Sequence, residues 1–341
     1  MKKRVTIKDV AHDCNVSIGT VSKVINNKGY VSKETLSKVM DSINRLGYSV
    51  NANARSLKSS QSNKVAVLIS DISNLYLMTI AKEVEKTIRS LGFHMILLSH
   101  NDEEEEEFAS LQIIMEQQVD ALVIIPTGSN ADMIKQILHA NIPVIALDRK
   151  VDGIETDLIV DDNYYGSYES IKNLYELGHT RIGVLYGHQK NSIGRDRYFG
   201  ALDAFHDLGI EVDMALWKET NFEEDAAYRL TMELLLSPNP PTALYSCNNT
   251  ITKGMLKAIK EQGVQIPNQL SVIAFGDSQQ WELLEPKLSL MTQPVNRIGL
   301  EATILLKNRL LLDSEFPPKE IVIKPTYERG DSTKENRGKG V

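Results

Sequence analysis

Two kinds of hydrophobic patterning divide the chain. Over the first fifty residues, apolar positions recur at helical spacing in three short runs. Thr6 precedes IKDVAHD as an N-cap, and Asp9 three residues on favours the helix start electrostatically. Val10 and Ala11 give that helix its apolar surface. Cys14-Asn15-Val16 reads as a turn, Asn being a residue type that tolerates the left-handed backbone. Ser17 caps a second helix, IGTVSKVI. Ser32 caps a third, with Leu36, Val39, Met40 and Ile43 at helical spacing and Gly47 placed to end it. Two helices across a tight turn, closed by a third, predict a helix-turn-helix unit.

From Lys64 the pattern changes to short apolar runs alternating with amphipathic stretches. VAVLIS, HMILLS, ALVIIP and PVIAL read as buried strands, and RIGVLYG, TALYSC and LSVIAFG repeat the theme after residue 180. The stretches between them end near glycines such as Gly92, Gly178, Gly209 and Gly263. Such alternation predicts parallel sheets covered on both faces. About 280 residues of it exceed one core, so two lobes are expected. The fold expected is an N-terminal all-α helix-turn-helix domain (1–50) and a two-lobed α/β core (62–341). NANARSLKSSQSN, within the linker 51–61 and just beyond it, has room for one or two helical turns over Asn51–Leu57. A helix that short orders only when docked, since about 12–15 residues are needed for stability alone. The acidic run Glu103–Glu107 reads as a solvated helix start.

Charge sharpens this division. The 341-residue chain carries a net charge of −7. Its first sixty residues nevertheless hold eleven Lys or Arg against four acids, leaving −14 on the remainder. A basic module on an acidic body directs the search for phosphate contacts to the N-terminal end. Two distant cysteines, Cys14 and Cys247, argue against a disulfide framework. With no leader-like apolar segment after MKKRVTIKDV and no run of ~20 apolar residues, a cytoplasmic protein without a membrane partner is expected.

VTIKDVAHDCNVSIGTVSKVINNKGYVS, followed by LGYSVNANARSL, resembles the lactose/galactose-repressor (LacI/GalR) family of bacterial regulators. SDISNLYL, DDNYYGS, LGHTRIGVLYG, Arg197-Tyr198-Phe199-Gly200 and LSLMTQPV extend the resemblance through the core in family order. It implies a homodimer that binds a pseudo-palindromic DNA operator, with a core similar to periplasmic sugar-binding proteins. The second helix is expected in the major groove with its N-terminal residues at base edges. Ser17, Thr20 and Ser22 suit phosphate or base contacts and Asn26 suits phosphate. Lys23 can donate to guanine and Ile18 can touch a thymine methyl, while Gly19 has no side chain to read with. Thr6, Tyr30, Asn51 and Ala54 complete the expected DNA surface. By resemblance Leu57 wedges into the minor groove at the operator centre, with Lys58 beside it.

The family's effector cleft maps onto Ser70, Asp71, Asn74, Tyr76, Asp148, Arg197, Phe222, Asn248 and Asp277. A sugar needs donors and acceptors for several hydroxyls plus an aromatic face, and Phe222 or Tyr76 can supply the ring. The chain departs from the family at Gly276, Asn249 and Leu75. Two acids common around the cleft are missing while Arg197, Arg149 and Arg195 remain, which leans towards a sugar acid or sugar phosphate. The alternative is that Asp277 takes over the missing acid's role for a neutral sugar. No cofactor or metal is expected.

Other readings are weaker. A transport solute-binding protein would have no use for residues 1–58. No GxxxxGK[ST], HExxH or GxSxG motif supports an enzyme. His179 fits a structural turn, and His188 borders the cleft without an evident partner. A protein corepressor remains an alternative input. The polar tail TYERGDSTKENRGKGV lacks heptad apolar positions, so the dimer is expected to form through the core lobes.

Overall fold

The computed structural model describes residues 5–25, 29–48, 62–312 and 316–336. The chain divides into two units, Met1–Ser62 and Asn63–Val341.

The first unit is built on α1 (Ile7–Asp13), α2 (Ile18–Ile25) and α3 (Lys33–Leu46). Thr6 and Asp9 form a reciprocal capping box on α1, satisfying amides that the helix itself leaves unpaired. Ser17 Oγ accepts from Thr20 N at 3.0 Å, and Ser32 Oγ from Thr35 N at 3.2 Å. Asn15 takes the left-handed backbone at φ 53°, and Gly47 ends α3 at φ 64°. Val10, Ala11, Val21, Val24 and Val39 make the core. The expected apolar face of α3 is narrower than its spacing suggests: Leu36 and Met40 are exposed, whereas Ser42 is buried. Ser42 is buried because it donates to Asp13, which also takes Arg45. The Ser42 hydrogen bond and the Arg45 charge hold the Asp13 carboxyl below its usual range.

In the second unit one six-stranded sheet is formed by β1 (Lys64–Ile69), β2 (His94–Ser99), β3 (Ala121–Ile124), β4 (Val144–Leu147), β5 (Asp157–Asp161) and β11 (Glu320–Ile323). Its order is β11-β5-β4-β3-β1-β2, parallel throughout. Val65, Val67 and Ile69 pack on one face beneath α4 (Leu75–Ser90) and α11 (Val295–Leu311). Ala66 and Leu68 pack on the other beneath α5 (Glu104–Glu116) and α6 (Ala131–His139). Coverage on both sides explains why VAVLI is apolar without alternation.

The other sheet has the order β12-β10-β9-β8-β6-β7, with β6 (Ile182–Tyr186), β7 (Trp217–Glu219), β8 (Ala243–Ser246), β9 (Ser271–Gly276), β10 (Ser289–Thr292) and β12 (Thr326–Glu328). Only β12 runs antiparallel to its neighbour. It carries α7 (Asn163–Glu176), α8 (Ser192–Asp207), α9 (Glu224–Leu235) and α10 (Asn249–Glu261). α7 and α8 pack closely because a Cβ on Gly200 would lie 2.2 Å from the Tyr164 carbonyl oxygen. β5, β7, β10 and β12 were not among the expected strands. They are short and carry polar residues that interrupt any apolar run.

The chain crosses between the two sheets at Asp161–Asn163, Thr292–Val295 and Ile323–Thr326. His179 ties the second lobe together, its ring nitrogens pairing with Thr242 and Ser271 hydroxyls at 2.9 Å each. Glu103–Glu106 are exposed at the start of α5, as expected of a solvated helix start, and Glu107 departs from them. It is fully buried, because it accepts from Thr127 N at 2.8 Å and from the Thr127 hydroxyl and Asn130 amide. Among the described residues no helix is long and apolar enough to cross a membrane.

Candidate functional site

In the first unit, burial of Val21 and Val24 turns the opposite side of α2 to solvent. Ser17, Ile18, Gly19 and Lys23 are exposed there, with Thr20 and Ser22 half-buried. Thr6 is exposed, and Tyr30 is 94% exposed, so neither is held for packing. The Thr6 and Ser17 hydroxyls already serve as helix caps, which fixes their position on the surface. Asn26, Asn51, Ala54, Leu57 and Lys58 lie outside the described residues.

In the second unit a cavity of about 210 Å³ opens at the carboxyl ends of the strands, where ligands of such sheets bind. Eight of the nine expected effector residues line it: Ser70, Asp71, Asn74, Tyr76, Asp148, Arg197, Phe222 and Asn248. Most are held by helix starts and loop turns. Asn74 caps α4 by accepting from Tyr76 N at 3.1 Å, and Asn248 caps α10 by accepting from Ile251 N at 2.8 Å. Asp71 closes its own turn through Ser73 N at 2.7 Å. Three lining residues hold left-handed backbone, Asp102 at φ 60°, Asp148 at φ 66° and Phe222 at φ 62°. Non-glycine residues in that region carry strain that surrounding contacts must sustain. Phe222 lies so close to Gly187 that a Cβ there would be 2.1 Å from its ring.

Charge is concentrated around Arg197. Its Nε donates to Asn163 Oδ1 at 2.8 Å and its Nη1 to the Cys247 carbonyl, while the guanidinium lies 3.9 Å from the Phe275 ring centroid. These contacts leave Nη2 without a bond to any described residue. Beside it the Tyr76 hydroxyl has two acceptors in reach, Asp148 Oδ1 at 3.4 Å and Asp161 Oδ2 at 3.5 Å. Gln293 Nε2 donates to Asp161 Oδ2 at 2.6 Å, and Asp161 Oδ1 is buried without a partner. Burial, reinforced by the Asp148 charge, pushes the Asp161 carboxyl up to about 7. Burial also raises Asp148 above the usual range, against the pull of Arg149 and Arg197. The Tyr76 phenol is pushed well above its ordinary value by burial and by Asp161 and Asp148.

Arg149 also lines the cleft but is committed: both its terminal nitrogens contact Asp102, which also lines it. Burial works against ionisation of Asp102, yet the Arg149 hydrogen bond and charge prevail and lower its carboxyl. Arg195 does not line the cleft; it donates to the Lys190 carbonyl at 3.1 Å. Nor does Asp277, which is 3% exposed and caps the following turn by accepting from Gln279 N at 3.1 Å.

The family models for "Bacterial regulatory proteins, lacI family" and "Periplasmic binding protein-like domain" match residues 6–51 and 171–333, respectively. An HTH-type transcriptional repressor PurR from Actinobacillus pleuropneumoniae is 30% identical over 94% of this chain and 96% of its own length. The chain belongs to the lacI family of bacterial regulatory proteins. It is a DNA-binding transcriptional regulator, not an enzyme. In fold, it is similar to the lac repressor dimer bound to operator and the anti-inducer ONPF, with a TM-score of 0.79 and 22% identity, covering 97% of this chain and 100% of that one. It is likewise similar to a LacI family regulator from Enterococcus faecium with bound ribose, with a TM-score of 0.73 and 24% identity, covering 80% and 100%.

Within this lacI-family core the two departures at Gly276 and Asn249 prove complementary. A Cβ on Gly276 would lie 1.9 Å from Asn249 Oδ1. That oxygen accepts from Asp277 N at 3.3 Å and from Trp281 Nε1 at 3.0 Å. Gly276 therefore makes room for an amide that ties down the 277–281 turn. Sequence reasoning missed Leu77, Asp102, Asn191, Ile193, Thr250 and Gln293 in the cleft wall, with Asp161 behind it. Asp161 and Gln293 fall within DDNYYGS and LSLMTQPV, but nothing in those phrases pairs them: they meet only because two separate crossings bring them together.

Proposed function

We propose that the regulator binds operator DNA as a homodimer through the exposed side of α2, and that a neutral polyhydroxy effector of sugar size occupies the interlobe cleft. The observation that carries the effector reading is the mixed polar ring of Arg197, Asp148, Asn248 and Asn74 beside the Phe222 face. Carboxylates and amides accept and donate to hydroxyls, and an aromatic face covers apolar C–H surface. Charge balance favours the neutral ligand over the anionic one expected from the Gly276 and Asn249 replacements. Arg149 is neutralised by Asp102, Arg195 lies elsewhere, and Asp71, Asp102 and Asp148 surround the site. An anion would meet those carboxylates directly.

The effector acts by binding two lobe arrangements with different affinity, which is the only route by which it can shift operator binding. Operator contact falls to Ser17, Ile18, Thr20, Ser22, Lys23 and Tyr30, and the regulator works where the DNA is, in the cytoplasm. Calorimetric titration with matched pairs such as glucose and gluconate tests the ligand class. Saturable binding of the neutral members of such pairs is expected; binding confined to the acids would overturn the neutral reading.

A further inference from the structure

A second cavity, of about 310 Å³, shares Asp148 with the effector cleft but is otherwise lined by different residues. Both lobes contribute, through the ends of β4 and β5, strand β11, and the first turns of α7 and α8. Six carboxylates line it: Asp148, Asp152, Asp161, Asp162, Asp196 and Glu320. Only two cations accompany them, and both are loosely engaged, Lys150 Nζ 3.9 Å from Glu320 and Arg195 Nη2 3.9 Å from Asp152.

The carboxylates differ in how well they are satisfied. Asp162 caps α7 through Tyr165 N at 3.0 Å. Asp161 is 3% exposed, and its Oδ1 has no partner. Asp196 is exposed on the cavity wall and makes no hydrogen bond or ion pair with any described residue, which leaves its carboxylate open to a cation. Taking a carboxylate from water without a partner is costly, so a group such as Asp161 is relieved either by a proton or by a cation. A metal ion does not fit the arrangement. Hard cations need several oxygens converging at about 2.0–2.6 Å, and no group of three acids, histidines or cysteines among the described residues converges that way. Charge spread around a cavity wall matches a cation whose charge is itself spread along a chain.

We propose that this second interlobe cavity binds a linear organic polyamine, whose ammonium groups pair with Asp161, Asp196 and Glu320. Because both lobes line the cavity, the polyamine biases their arrangement without occupying the effector cleft, and the shared Asp148 couples the two sites.

Calorimetric titration of the full chain with spermidine at low ionic strength, without DNA, tests this against magnesium and against D196N/E320Q. Neither substituted residue lines the effector cleft. Expected are saturable binding at one site per chain, at least about tenfold weaker binding in the double variant, and no displacement by equimolar magnesium. At pH 7 binding should also release protons, seen as a heat that depends on buffer ionisation, because the cation drives the buried Asp161 carboxyl, held up to about 7, to ionise. E320Q alone, at a half-exposed position, controls for folding and should show an intermediate loss. Equal binding by wild type and both variants, displacement by magnesium, or no spermidine binding would each overturn the proposal.

Discussion

The side of α2 proposed to meet DNA and the cleft proposed to hold the effector are built in opposite ways. The first displays side chains such as Ile18 and Lys23 on a small unit whose core is five residues, and little besides capping restrains them. The second buries its polar groups: Arg197 is 4% exposed and Asp148 6%, with Asp161 behind them at 3%. Buried charges of this kind must be compensated locally, so each cleft residue depends on its neighbours. The comparison teaches that a DNA surface can change one residue at a time, whereas a cleft changes as a network. Gly276 and Asn249 illustrate the second case, since neither makes sense without the other.

The largest effect should come from the centre of the network. Arg197→Met removes the donors to Asn163 and the Cys247 carbonyl together with the free Nη2. Effector affinity should fall at least about 100-fold, with a few kcal/mol of stability lost through buried acceptors left unpaired. Calorimetry and urea unfolding measure the two terms. A variant that kept both would mean that the cleft is no more interdependent than the helix surface.

Asp161→Asn comes next and works through pH. Its folded carboxyl titrates near 7 against an ordinary value of 3.8. Between those values the folded chain holds a proton that the unfolded chain has released, so stability falls as pH rises from about 4 to 7. An asparagine can still accept from Gln293 but cannot ionise. The variant should therefore flatten this fall, which is worth up to about 4 kcal/mol over the window. Urea unfolding at pH 5 and pH 8 checks it; a slope unchanged from wild type would remove Asp161 as the cause.

The smallest effect belongs to the exposed surface. Lys23→Ala should weaken operator binding modestly and reduce the slope of log affinity against log salt by about 1 if the side chain meets a phosphate. An unchanged slope with altered base preference would instead place Lys23 on a base edge.

The same contrast explains what the sequence disclosed. The helix starts at Thr6, Ser17 and Ser32 are local signals, written within four residues of where they act. Strands buried on both faces, such as VAVLI, are equally plain. The cleft was legible through the family resemblance, and Asn74 and Asn248 among its residues stand at helix starts. Asp161 ends β5 and Gln293 follows β10, strands that no apolar run announces, and their meeting depends on chain crossings that no periodicity encodes. Glu107 misled for a related reason: its acidic neighbours predict solvent, but the 127–130 loop decides its burial.

The account's central claim is that a ligand held by the Arg197 network changes operator affinity exerted through α2. Fluorescence anisotropy of a pseudo-palindromic duplex, selected by the protein from a random pool, measures it directly. The duplex is titrated with protein in the presence of a panel of neutral sugars. For wild type, one sugar should shift operator affinity about tenfold or more, and Arg197→Met should bind the duplex yet show no shift. A sugar that moved operator affinity equally in both proteins, or a panel without effect on the wild type while sugar acids acted strongly, would contradict it.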